Sequence, residues 1–288
     1  MSVINTNVNS LVAQNAVNVN ARALSSAMEQ LSTGKRINGS KDDAAGLSIS
    51  QIMTAQIRGL NQAVRNANDG VSLLQTADGA MIEQTNMMQR MRELAVQSAS
   101  DTVTPDQKVY LDKEYQALLT EIDRIGAATQ WNGKNLLDAT GGTAGAGTYV
   151  FQVGANASQS ISVVLGKARS DGILSTLAAT KIVNDSTGAA ATTSTAEATA
   201  AITAIDTALK ASNNQRAAIG AGINQLTYAA DNLSNISMNT AASRSRIEDT
   251  DYATASTELA RTQIIQQAAT AMLAQANQSP QSVLALLK

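Results

Sequence analysis

The chain has no cysteine and no histidine. Disulfides and thiolate chemistry are therefore excluded, and the usual general base and commonest metal ligand are missing. Its aromatic residues are one Trp, one Phe and five Tyr in 288 residues, too few for a compact core built on large rings. With two prolines, little interrupts long helices. An excess of positive charge is missing too: the net charge of −2 does not supply the basic surface that nucleic-acid binding needs. No run reaches the ~18 apolar residues of a membrane helix, so no membrane insertion is expected. Asn5, Asn7, Asn9, Gln14, Asn15, Asn18 and Asn20 break up the apolar character of the N-terminus. It therefore reads as having no cleaved leader.

What the ends do contain is unusual. From Met1 to Met28 the only charged side chain is Arg22, and from Thr262 to Leu287 there is none. Ala, Val, Ile and Leu mixed with Asn and Gln fill both ends. Solvated termini normally carry charge, so both ends read as built to be covered, most simply by further copies of the same chain. Ordering a residue costs about 1–2 kcal/mol of backbone entropy, and an Ala-rich stripe returns little. The ends are therefore expected to order when copies pack together, with a helix pair already formed in the single chain as the alternative.

Periodicity organises the rest. Over residues 5–33, Val12, Ala16, Val19, Ala23, Ala27 and Leu31 recur at helical steps, and Gly34 suits a C-cap. Ser40-Lys41-Asp42-Asp43 offers a capping box. Met53, Ile57, Leu60, Val64, Ala67, Val71 and Leu74 then form a seam that Asp78 interrupts and Met81, Thr85 and Met88 resume. Continuous from Asp43 to Ala99, such a helix would be roughly 80 Å long. Thr104, Pro105 and Gln107 mark the next helix start, followed by Leu111, Tyr115, Leu118, Ile122 and Ile125 in an antiparallel seam. Tyr149–Val153 and Ser160–Leu165 alternate as a β-hairpin, and Thr180–Ala200 is an Ala/Thr-rich connector. Ile219, Ile223, Leu226, Ala230, Leu233 and Ile236 mark a third long helix. Ile265, Ala269, Met272 and Ala276 give the closing segment a stripe, which Val283 and Leu287 extend past a bend expected at Pro280.

The fold class expected is mainly α: a long antiparallel helical bundle or coiled coil with a small β-hairpin insert, the N- and C-terminal helices pairing in a separate inner coiled-coil domain. The expected boundaries are 1–40 for the N-terminal half of that domain, 41–176 for a helical rod with the hairpin, 177–204 for the connector, 205–249 for the rod's C-terminal helix and 250–288 for the other inner half.

Chemistry finds few candidates. Asp42-Asp43 at a helix start suits capping better than acid–base catalysis. Glu248, Asp249 and Asp251 read as a solvated junction, since no Gly-containing EF-type loop surrounds them. Met81 and Met88 fit the seam, and with Met87 and Met91 they could alternatively form an adaptable groove. Gly141–Gly147 lacks the Gly-Lys-Ser/Thr of a phosphate loop. Catalytic, cofactor and metal sites are not expected.

The residues also resemble a family. Ile4-Asn5-Thr6-Asn7, Leu31-Ser32-Thr33-Gly34-Lys35-Arg36-Ile37-Asn38, Asp42-Asp43-Ala44-Ala45-Gly46-Leu47 and Asn68-Asp69-Gly70 are similar, in order, to bacterial flagellin. So are Gln89–Gln97, Glu121-Ile122-Asp123-Arg124, Phe151–Asn156 and Ser243-Arg244-Ser245-Arg246-Ile247. The likeness covers about 1–165 and 205–288, and implies a short flagellin without evident outer variable domains. It further implies a secreted, extracellular filament subunit for swimming motility, exported unfolded by the flagellar type III apparatus. Its partners would be copies of itself, an export chaperone, a filament cap and hook-junction proteins. Recognition of the monomer by host Toll-like receptor 5 is implied at Gln89, Arg90, Leu94 and Glu114, with Met91 departing from the family pattern. A hook–filament junction protein and a monomeric secreted helical adhesin are the alternatives.

Overall fold

A computed structural model of the chain describes residues 6–143, 145–178, 180–182 and 195–285, including side chains except at 195 and 279–285. The helices among these residues are α1 (Val8–Thr33), α2 (Ala44–Ser98), α3 (Pro105–Ala128), α4 (Thr195–Glu248) and α5 (Tyr252–Ala285). Four short strands lie between α3 and α4: β1 (Gln130–Trp131), β2 (Lys134–Asn135), β3 (Thr148–Gln152) and β4 (Ser160–Val164). The chain divides into two compact units, one from residues 1–57 and 238–288, the other from 58–237. The mainly helical class with a small β insert and paired terminal helices is the one expected.

Local chemistry sets the helix ends. Asn7 Oδ1 accepts from the Ser10 N–H at 3.1 Å, and Gly34 closes α1 at φ 69° with its N–H on the Gln30 carbonyl. At α2 the cap is Asp43, whose Oδ1 accepts from the Gly46 N–H at 2.9 Å. Asp42 instead ties the preceding loop by accepting from the Asn38 and Gly39 N–H groups. The expected box starting at Ser40 is thus replaced by a cap three residues on, directly against the first helical turn. Gln107 accepts from the Thr104 N–H at 3.0 Å, with Pro105 opening α3.

In the 58–237 unit, the parts of α2 and α4 that belong to it run antiparallel, since Asn61 meets Ser237, Asp78 meets Arg216 and Arg92 meets Asp206. α3 runs antiparallel to α2, with Gln84 donating to the Ile122 carbonyl and Arg90 to Glu114. The seam residues Leu60, Ala67, Leu74, Met81 and Met88 are buried, as are Tyr115 and Ile122 on α3 and Ile219 and Leu226 on α4. Each such Leu or Ile contributes about 1.5–3 kcal/mol. Asp78 breaks the seam in order to hold Arg216 at 2.8 Å.

The strands pack against this core through Trp131, Tyr149, Phe151 and Val163. Asn132 and Gly133 have φ of 49° and 75°, the left-handed pair that a two-residue hairpin turn between β1 and β2 requires. β3 and β4 pair antiparallel from Thr148 opposite Val164 to Gln152 opposite Ser160. Tyr149 is buried there and donates to the Asn135 carbonyl at 2.6 Å.

Two readings of α4 differ from the structure. The helix starts at Thr195, so residues 195–204 are helical although they read as connector; Ala198, Ala201, Ile205 and Ala208 bury in the second core cluster, and small residues at helical spacing pack there as helix. Residues 183–194 of the connector lie outside the described residues. Ile236 is exposed, and Ser237 takes the seam position by donating to Asn61 at 2.9 Å.

Candidate functional site

The unit formed by the chain ends is built on α1 and α5 side by side. Asn7 Nδ2 donates to the Ala276 carbonyl at 2.7 Å, Asn20 Nδ2 to the Thr262 carbonyl at 2.8 Å, and Tyr252 OH to the Leu31 carbonyl at 3.0 Å. Partner numbers fall as α1 numbers rise, so the pair is antiparallel. Its turn end is pinned where Lys35 bridges Asp249, Arg36 N–H donates to the Glu248 carbonyl and Thr250 N–H to the Gly34 carbonyl. Lys35 Nζ lies 2.5 Å from Glu248, and Arg244 donates to Thr54 at 3.2 Å. Asp249 accepts from Ser245, and Asp251 from Thr254 and the Ala253 N–H. These acids serve the junction and the start of α5.

The pair therefore forms within one chain, which is the alternative weighed against ordering by assembly. The side it uses is not the apolar stripe. Ala13, Val17, Asn20, Leu24, Ala27 and Leu31 of α1 are buried or half-buried, as are Ala255, Leu259, Thr262, Gln266, Ala269, Leu273 and Ala276 of α5. Both sets step by three and four, as in a coiled-coil seam. Val12, Ala16, Val19 and Ala23 are exposed, one position out of phase, about 100° round the helix. Of the predicted α1 stripe, Ala27 and Leu31 lie in the seam. On α5, Ala269 and Ala276 lie in the seam while Ile265 and Met272 are exposed. The side chain of Val283 and all of Leu287 lie outside what is described.

The exposed stripes of the two helices come together. Val12, Ala13 and Ala16 line one stretch of an open groove with Ala269, Met272 and Ala276, and the amides of Asn9 and Gln275 share its lining. Val12, Ala16, Val19 and Ala23 line its continuation with Thr262 and Ile265, where Glu258 and Arg261 also line it. Val12 is 64% exposed, Val19 51% and Met272 66%. Apolar side chains this open, aligned along two helices, are the mark of a surface that another protein covers.

The second candidate lies on α2 and α3. Arg90 donates to Glu114 at 3.0 Å and to Glu93 at 3.0 Å. Its hydrogen bonds to the Glu93 and Glu114 carboxylates raise its pKa above the ordinary guanidinium value. Arg92 donates to Asp206 at 2.8 Å and holds that carboxyl below the usual Asp range. Gln89, Arg90 and Glu114 are exposed, but Leu94 is buried at 1% exposure in the second core cluster. The structure thus brings Arg90 and Glu114 together and turns Leu94 inward. Met91 is likewise fully buried and Met87 packs on the same cluster, so the methionines serve the core. Gln89, Arg92, Glu93, Val96 and Gln97 line a shallow surface groove, and Val96 is its exposed apolar member.

Among the described residues no group of three or more Asp or Glu could hold a metal ion, and no helix is long and apolar enough to cross a membrane.

Comparison with known proteins agrees along the whole chain. The family model for the bacterial flagellin N-terminal helical region matches residues 4–141, and that for the bacterial flagellin C-terminal helical region matches 202–287. The chain is 46% identical to a flagellin of Halalkalibacterium halodurans over 286 residues, covering 99% of this chain and 100% of that one. It is 43% identical to a flagellin of Bacillus subtilis over 306 residues, covering 99% of each chain. A polar flagellin A of Vibrio parahaemolyticus is 35% identical over an alignment of 376 positions, 99% of each chain, and so contains sequence without a counterpart here. The crystal structure of Bacillus cereus flagellin aligns at 30% identity and a TM-score of 0.46, covering 62% of this chain and 94% of that one. On the family match and the near-complete coverage of its relatives, the chain belongs to the bacterial flagellin family, a structural subunit of the flagellar filament rather than an enzyme.

Proposed function

We propose that this flagellin polymerises through the α1–α5 groove into the extracellular filament that drives swimming. In this reading, residues 1–40 and 250–288 form the inner coiled-coil domain, and 41–176 and 205–249 the helical rod domain. The observation that carries it is the run of exposed Val12, Ala16, Val19, Ile265 and Met272 along helices that hold almost no charge. A monomeric adhesin would leave that stripe in water. The export apparatus, a chaperone for α5, a filament cap and hook-junction proteins are the further partners the reading entails.

The same reading assigns recognition by Toll-like receptor 5 to Gln89, Arg90 and Glu114, with Leu94 supporting the helix from inside. Arg is a favoured interface anchor, and the ion pair with Glu114 holds it in one orientation.

Purified monomer incubated with filament seeds and viewed by negative-stain electron microscopy tests the assembly reading. The full chain is expected to elongate the seeds, and chains truncated before Asn38 or after Thr250 are expected not to. Elongation by the truncated chains, or none by the full chain, would refute it.

A further inference from the structure

Met272 stands beside Val12, Ala16 and Ala269 in the α1–α5 groove, two-thirds exposed. The chain has nine methionines. Met81, Met88 and Met91 are fully buried, Met53 and Met87 half-buried, and Met28, Met238 and Met272 exposed. Of these exposed three, neither Met28 nor Met238 lines the groove. Thioether oxidation follows exposure, and it turns a flexible apolar side chain into a polar one. At most surface positions that change is harmless. In a groove that must be covered it is not, because the sulfoxide oxygen loses its water among Val12, Ala13, Ala16, Ala269 and Ala276, where of the lining side chains only Asn9 and Gln275 carry donors.

We propose that Met272 is an oxidation site that gates assembly of the free subunit. The oxidant is of the hydrogen peroxide class. The sulfur lone pair attacks one peroxide oxygen, the O–O bond breaks, and the proton on the transferred oxygen passes to the departing hydroxide, leaving one water and a sulfoxide whose sulfur is oxidised by two electrons. The oxidised chain keeps its α1–α5 pair, because Met272 lies off the seam, but it no longer seats a second copy. Once covered in a polymer, the sulfur is shielded, so the sensitivity belongs to the subunit before assembly. The inference rests on the reading that this groove seats another copy of the chain.

The test uses the full chain, hydrogen peroxide, seeded elongation followed by light scattering, and peptide mass mapping of each methionine. Met272→Leu conserves volume and removes the sulfur. Peroxide is expected to slow elongation of the wild-type chain on the order of tenfold or more, and to leave Met272→Leu within about twofold of its untreated rate. Met28→Leu and Met238→Leu should stay as sensitive as wild type. Methionine sulfoxide reductase should restore wild-type elongation in step with loss of the oxygen at residue 272, an arm that needs no variant. Normal elongation by chains fully oxidised at Met272, or equal peroxide sensitivity in Met272→Leu, overturns the proposal. Failure of the untreated wild-type chain to elongate is a different result and overturns the assembly reading itself.

Discussion

Asn20 reaches across the terminal helix pair to the carbonyl of Thr262, 2.8 Å away, and its amide also meets Gln266 Oε1 at 3.0 Å. Asn20 and Thr262 are both buried, so a polar contact holds the middle of the seam. An amide there can donate; a carboxylate of the same shape cannot. Asn20→Asp would aim an acceptor at two acceptors in a dry place, at a cost of about 1–3 kcal/mol or more. Asn20→Leu withdraws that donor, but the Thr262 carbonyl keeps its place in the α5 helical ladder, the half-buried Gln266 amide can turn to water, and seam packing compensates. Hydrogen exchange over α1 and α5 of the monomer should therefore speed up in Asn20→Asp and change little in Asn20→Leu. Equal protection in both variants would show that the contact has no role in the pair.

Two glycines within α2 should respond to alanine with opposite signs. A Cβ at Gly70 would fall 2.9 Å from the Phe151 ring and 3.0 Å from Leu226, whereas at Gly79 nothing lies within 4 Å. Gly70→Ala overpacks the contact between α2 and the hairpin and should destabilise the 58–237 unit by about 1–3 kcal/mol. Gly79→Ala gains helix propensity without a clash and should stabilise it by about 0.5–1 kcal/mol. The single Trp131 packs against the core of this unit and reports its unfolding by fluorescence in denaturant.

These contrasts also show how far the sequence could be read. The α2 seam was legible because Leu60, Leu74, Met81 and Met88 are apolar residues at the very positions that bury. The α1–α5 seam was not, because Asn20, Thr262 and Gln266 occupy it and a search for apolar periodicity passes over them. What that search found on α1, from Val12 to Ala23, was the outer stripe. It located the groove while misplacing the intramolecular contact by one residue. Leu94 shows a different limit: its place among surface residues followed from resemblance, and only the packing of α2 on its neighbours reveals that it faces inward.

Acid should loosen the strand insert. Burial opposes ionisation of Asp138, but the Thr140 hydroxyl and N–H and the Asn135 amide outweigh it and hold the carboxyl below its ordinary value. A depressed folded-state pKa gives stability that is present above the unfolded value, about 3.9 for Asp, and is lost as pH falls through the lower folded value. Asp206, held down by Arg92, acts in the same direction. Denaturant midpoints read from Trp131 should be flat above about pH 5 and fall below about pH 4. In Asp138→Asn the acid-dependent part of that fall should shrink, with lower stability already at neutral pH. An unchanged acid slope would remove Asp138 from the account.

The groove makes the sharpest demand, because it separates folding from assembly in one substitution. Val12 and Val19 are exposed in the single chain, so a charge there costs the monomer almost nothing; surface changes usually stay within about 0.5 kcal/mol. Covered by a second copy, the same carboxylate would be desolvated without a partner, since Arg22 and Arg261 are the only cations on α1 and α5. Val12 lies ten residues from Arg22 along α1, roughly 15 Å at ~1.5 Å per residue. Arg261, which lines the same groove, stands by the Asn20–Thr262 contact, roughly 12 Å along α1 from Val12. Val12→Glu should therefore keep the helicity and thermal midpoint of the wild-type monomer while seeded elongation falls by two orders of magnitude or more, the ~3 kcal/mol expected for an unpaired buried charge. Val12→Leu, which enlarges the apolar stripe, should elongate at least as fast as wild type. Wild-type elongation by Val12→Glu would place the contact between copies on another face of the helix pair.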